Sequence, residues 1–309
     1  MNQIKINKIA IIGSGAVGTY FGSMLTKAGL DVVFIARGEH FKKLSSFGVS
    51  VKSFWDNFVI PVNVTNSPDL VGEVDLVLYC VKTYSNKIAI KEMCPLVGNK
   101  TIILTIQNGI SSADQISKEY GWENLLEGST YIESSRENPG TVTQTGETAL
   151  IRFGHRKKSF KFLSNVKVVL SVQGIQSEIS NDIESVLWSK LILVGAIGSI
   201  MASTRSTFLE ILDSPYGMSI CERMMKEIYL AAESKGVLLP NDLIEENLRY
   251  LLKDKDNIQS SLQQDIFSGN PLELDDLMGA ALIIGKNNGI DMPVCESFYT
   301  VLYNSINGN

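Results

Sequence analysis

The sequence predicts an α/β domain followed by an all-helical one, and three observations carry that expectation. Four near-continuous apolar runs, KIAIIG (8–13), DVVFIAR (31–37), VDLVLYCVK (74–82) and TIILTIQNG (101–109), recur between helical patterns, as strands of a parallel sheet covered on both faces do. A glycine-rich turn, GSGAVG, follows the first run and opens the helical pattern VGTYFGSMLTKAG. After about residue 180 the strand signals stop, and windows 183–203, 208–236, 241–256 and 273–289 carry helical periodicity. The change in composition places a domain boundary near Ile179, giving domains 1–179 and 180–309.

Within the first domain, GVSVKSFWDNFVIPVNVT (48–65) has strand character on both sides of Asp56 and Asn57 and predicts an inserted hairpin. Residues 128–154, with GTVTQTG and ETALIRFG, predict further, antiparallel strands. In the second domain, Asn270, Pro271 and Glu273 fit a capping box, with Asn270 at the N-cap.

Composition narrows the function. A net charge of −5 and a pI near 5.3 argue against a nucleic-acid partner. Mean hydropathy is +0.09 and no run reaches about 18 consecutive apolar residues, so no membrane span is expected. The apolar run after Lys5 and Lys8 is too short for a signal peptide and dissolves into glycines. Cys80, Cys94, Cys221 and Cys295 show no metal-ligand spacing and fit reduced thiols of a cytoplasmic protein. With only His40 and His155 available, neither in a motif, proton chemistry is expected from another residue type, and no metal is expected.

The strand–turn–helix context makes Gly13, Ser14, Gly15, Ala16, Val17 and Gly18 a candidate dinucleotide loop of Rossmann type. Gly13 permits the turn, Gly15 lets backbone approach a pyrophosphate, and Gly18 lets helix pack on strand. Arg37 ends the second strand where NAD-preferring proteins place an acid; a guanidinium there favours the 2′-phosphate of NADPH. Lys82 and Asn108 end two more strands on the side where such sheets bind ligands. Asn108-Gly109 is equally well explained as a turn pair.

Lys190 sits in WSKLILVGAIGS, where Leu187, Leu191, Val194 and Ile197 form an apolar stripe. Burial would lower its pKa and suit it to proton donation, while snorkelling to water is the plainer alternative. Farther along, SSLQQDIFSGNPLELDDLMGA contains Ser261 and Glu273.

Taken in order, GSGAVG, Arg37, VKTY, IQNG, WSKL and SSLQQDI…GNPLELDDLMGA resemble the ketopantoate reductase (2-dehydropantoate 2-reductase) family over nearly the whole chain. The resemblance implies NADPH-dependent reduction of a small-molecule 2-keto acid in a cleft between a Rossmann domain and a helical one. It implies Lys190 as proton donor, Glu273 as the acid that positions lysine and substrate, Ser261 as a substrate contact, and Asn108 and Lys82 as a cofactor-side pair, Asn108 also meeting substrate. The chain departs from the family at Val194 and Gly198, where asparagines would follow the lysine by four and eight positions. This substrate-facing wall is expected to be less polar and roomier, with Ser199, Ser203 or Arg205 as alternative polar groups. Two other readings remain: a 3-hydroxy acid dehydrogenase of related build, and a catalytically silent NADPH-binding protein. The sequence leaves open whether the chain works as a monomer or a homodimer.

Overall fold

The computed structural model describes residues 5–157 and 162–308. It divides into two compact units, Met1–Gln107 with Ser112–Ile183, and Asn108–Ser111 with Glu184–Asn309.

The first unit runs β1 (Lys8–Ile12), α1 (Ala16–Lys27), β2 (Asp31–Ile35), α2 (Gly38–Phe47), β3 (Val49–Lys52), β4 (Asn57–Ile60), β5 (Asn63–Thr65), β6 (Leu76–Tyr79), α3 (Asn86–Glu92), β7 (Ile102–Thr105), α4 (Ser112–Tyr120), β8 (Leu125–Ser135), β9 (Thr141–Gly154), α5 (Leu163–Leu170) and β10 (Gln176–Ile179). Its strands form one sheet in the order β4-β3-β9-β8-β7-β6-β1-β2-β5, with β10 also on β9. Strands β5, β2, β1, β6, β7 and β8 run parallel to one another, and β1, β2, β6 and β7 are the continuous apolar runs. Alternation along β1 shows why both faces must be apolar. Ile9 and Ile11 join a core with Phe21 and Leu25 of α1, whereas Ala10 and Ile12 join another with Ala89 and Ile90 of α3 and Ile116 of α4.

The hairpin expected at 48–65 forms from β3 and β4, antiparallel with Lys52 opposite Asn57. The rest of that stretch leaves the hairpin: β5 crosses to the far edge and pairs with β2. Strands β8 and β9 are the expected antiparallel pair, shifted in register at Ile132/Glu133. One edge of β9 is shared, Thr141–Thr143 pairing with β3 and Leu150–Phe153 with β10.

The second unit contains α6 (Ile183–Thr204), α7 (Phe208–Asp213), α8 (Gly217–Ser234), α9 (Leu243–Lys253), α10 (Ser261–Ser268), a π turn at Asp275–Gly279, α11 (Ala280–Asn287) and α12 (Pro293–Tyr303). By length and mean hydropathy, 1.7 over its best window, α6 could cross a membrane, but 67% of that window is buried in the protein. The window 208–236 breaks into α7 and α8 around Pro215, which has no N–H to give a continuous helix. The capping box expected at Asn270–Glu273 is absent. The helix begins only at Leu274, Glu273 is the residue before it, and Asn270 donates instead to Asp265. A true box caps α7, formed by Thr207 and Glu210.

Candidate active site

In the sheet unit the glycine turn lies immediately beyond β1. Gly13 has φ +95°, and a Cβ there would stand 2.5 Å from the Val81 nitrogen, so only glycine fits this crossing past the end of β6. A Cβ on Gly18 would stand 2.2 Å from the Gly13 carbonyl, which makes this the contact that seats α1 on β1. Gly15, by contrast, faces open space: it is the N-cap of α1, has no side-chain cap, and a Cβ would meet nothing within 4 Å. The helix therefore leaves uncapped amides toward that space, with its positive dipole end, as a phosphate requires.

A cavity of about 330 Å3 continues from this turn, lined in part by Gly13, Ser14, Gly15, Arg37, Glu92 and Arg136. Ser14 ties the turn to the second strand by donating to the Ile35 carbonyl at 2.9 Å. Arg37 is the N-cap residue of α2 and forms an ion pair with Glu92 at the end of α3. Lys82 stands directly before a 310 turn, Thr83–Ser85, but the cavity wall there is made by Val81 and Ser85. Open helix amides, a glycine approach and cationic walls fit the phosphates of a dinucleotide. Sequence reading singled out Arg37 here and missed Glu92 and Arg136, which stand far away along the chain.

The second cluster lies in the helical unit. Lys190 Nζ donates to Asn108 Oδ1 at 2.7 Å. Burial lowers the pKa of this ammonium to about 8, partly opposed by the charge of Glu273, which raises it. Glu273 is itself 5% exposed, just before the π turn. Asn108 arrives on a four-residue excursion, Asn108–Ser111, that leaves the sheet after β7 and packs within the helical unit. Gly109 allows it: with φ +88°, it approaches so closely that a Cβ would lie 2.5 Å from the Asp276 carbonyl oxygen in the π turn. Ser111 closes the loop by donating to the Asp276 carboxylate. The structure thus joins Asn108 to Lys190, and Gly109 has a packing reason beyond turn propensity.

Two expectations about the surrounding wall change, those for Gly198 and Ser199. Gly198 does not leave extra room, because a Cβ there would already stand 3.1 Å from Ser260 Oγ, which accepts from the Gln263 amide. Ser260 is the buried serine against α6, whereas Ser261 begins α10 and is exposed. Ser199 does not replace a missing amide: nine residues beyond Lys190, it projects from the opposite side of the helix, fully buried. Val194, one turn from Lys190, is half-buried and offers methyl groups only.

A parallel sheet with a glycine turn at a helix N-terminus, and a half-buried lysine on a separate helical unit, define a dinucleotide-dependent oxidoreductase. Family models agree: one described as ketopantoate reductase PanE/ApbA matches residues 9–158 and its C-terminal counterpart matches residues 182–304. The chain belongs to the ketopantoate reductase family, oxidoreductases that act on CH–OH groups with a nicotinamide cofactor. It is 29% identical over 290 residues to a 2-dehydropantoate 2-reductase of Pyrococcus abyssi, covering 93% of this chain and 94% of that one. A 2-dehydropantoate 2-reductase of Nostoc sp. is 26% identical over 298 residues, covering 94% and 93%. The crystal structure of 2-dehydropantoate 2-reductase from Geobacter metallireducens superposes with a TM-score of 0.91 at 26% identity, covering 96% of this chain and 99% of that one.

Proposed function

We propose that the protein reduces a 2-keto acid to the 2-hydroxy acid with NADPH, the substrate being 2-dehydropantoate or a related branched 2-keto acid. The observation that carries this reading is Lys190, an ammonium with a pKa of about 8 aimed at a fixed acceptor, Asn108. A pKa near the working pH lets the group hold a proton and still release it readily. Bound at Gly13–Gly18, with Arg37 selecting its 2′-phosphate and Lys82 and Asn108 as further contacts, NADPH would supply the hydride.

The chain's own residues do the rest. Lys190 donates a hydrogen bond to the keto oxygen and passes its proton to it as the alcohol forms. Asn108 sets the direction of the ammonium, and Glu273 keeps it charged. Ser261, open to solvent at the first turn of α10, meets substrate. In this reading residues 1–179 bind the cofactor and 180–309 carry substrate and lysine, Asn108 being the exception that works with the second group. Val194 and the Gly198–Ser260 contact present no free amide, so a branched 2-keto acid without a hydroxyl should serve at least as well as 2-dehydropantoate.

The test follows NADPH oxidation with 2-dehydropantoate and unhydroxylated branched 2-keto acids. Lys190→Ala should lower kcat by roughly 10²–10⁴-fold, the usual worth of a positioned general acid. Equal turnover by both proteins would remove the lysine from the mechanism, and no turnover of any keto acid by the wild type would remove the substrate class.

A further inference from the structure

We propose that Arg136 is a second cation for the cofactor's 2′-phosphate, acting beside Arg37 and held over the glycine turn by His40. The inference rests on the NADPH reading above and assigns residues that this reading does not use.

Arg136 lies in the turn between β8 and β9, yet it lines the same cavity as Arg37 and the glycine turn. Its Nη1 donates to the Ser14 carbonyl at 3.5 Å. Ser14 in turn donates from Oγ to Ile35 at the end of β2, so Arg136 stands on the β2 side of the turn. That is the side from which Arg37 extends, and the side where the adenine ribose lies in this fold class.

The turn that carries Arg136 is pinned by a buried histidine. The Gly140 amide donates to His40 Nδ1 at 3.0 Å, which leaves Nε2 to bear the ring proton. His40 Nε2 faces Thr19 Oγ1 at 3.3 Å, and Thr19 donates to the Ser14 carbonyl at 3.1 Å. Two routes from the β8–β9 turn therefore end on one carbonyl of the glycine turn, through Arg136 directly and through His40 and Thr19. Burial, and then the nearby charge of Arg136, hold the His40 pKa down to about 4, so the ring stays neutral and keeps accepting from Gly140.

Charge balance supplies the reason for two arginines. Glu92 already pairs with Arg37, so those two groups together bring no net charge to a phosphate. Arg136 restores one positive charge to the cavity wall, in a guanidinium fork able to make paired hydrogen bonds to phosphate oxygens.

The experiment measures NADPH and NADH dissociation constants by fluorescence titration of the full-length protein and of Arg136→Gln, Arg37→Gln and His40→Asn, with cofactor-free melting as a check on folding. Arg136→Gln should weaken NADPH about tenfold, the equivalent of ~1.4 kcal/mol, and NADH less than about twofold, without moving the melting temperature. His40→Asn should weaken NADPH as well, but add little in the Arg136→Gln background, the coupling expected of a positioning residue. Equal weakening of both cofactors would place Arg136 on a group they share and overturn the assignment, as would unchanged NADPH affinity. A wild-type protein that binds NADH as tightly as NADPH would instead overturn the NADPH reading itself, and this proposal with it.

Discussion

At the scale of single residues, the protein places one ammonium where its charge is costly and then limits that cost from two directions. Asn108 accepts from Lys190, and the carboxylate of Glu273 opposes the effect of burial on its pKa. In the proposed reaction this balance, about 8, sets the pH dependence. Below that value the lysine carries the proton it must give, and above it the donor is lost. Reduction should therefore be flat at acid and neutral pH and fall about tenfold per unit above pH 8. Glu273→Gln removes the interaction that raises the pKa, so the falling limb should move to lower pH. A pH profile of kcat for the two proteins checks the direction; an unmoved limb would show that Glu273 does not act through Lys190.

At the scale of elements, the π turn Asp275–Gly279 and the Asn108–Ser111 loop form one device. A π turn widens the helix, and such turns recur at functional sites. Here the turn presents the Asp276 carbonyl and carboxylate to the loop that carries Asn108. Gly109→Ala should cost about 1–3 kcal/mol through its left-handed backbone and the clash with Asp276, and should lower kcat by displacing Asn108. Gly121→Ala is the natural control: its φ is also positive, at +73°, but a Cβ there meets nothing. Urea unfolding and kcat measured on both variants separate backbone strain from the loss of docking.

This device also marks the limit of what could be read from the chain. The sheet was legible because β1, β2, β6 and β7 are buried on both faces and so write continuous apolar runs. Lys190 was legible because a charge interrupts an apolar stripe. The start of the helix after Glu273 departs from the sequence pattern: Asn270 and Pro271 satisfy local capping rules, but the Leu272 amide donates to the distant Ile306 carbonyl and the helix starts only at Leu274. Neither the excursion of Asn108 into the helical unit nor the return of Arg136 to the glycine turn has any local signal, since each depends on residues far away in the sequence.

At the scale of the whole molecule, each unit encloses its own buried apolar residues, and the residues of the glycine turn proposed to hold the cofactor belong to the sheet unit. Ligand present at 100 times its Kd should stabilise the native protein by about 2.7 kcal/mol. NADPH should therefore raise the unfolding temperature in calorimetry, and NADH at the same concentration should raise it less. Identical shifts would argue against a 2′-phosphate subsite.

The long apolar helix α6 has a consequence for the birth of the chain. Until residues 217–268 have been synthesised, α8 and α10 cannot cover it, and a nascent segment of this length and hydropathy resembles cargo for a membrane-insertion channel. Lys190, the eighth residue of α6, is a charge that opposes that fate, because a lysine near the middle of an inserting helix costs about 2.5–3.5 kcal/mol. The side chain proposed to deliver a proton is also the one that makes α6 costly to insert into a bilayer.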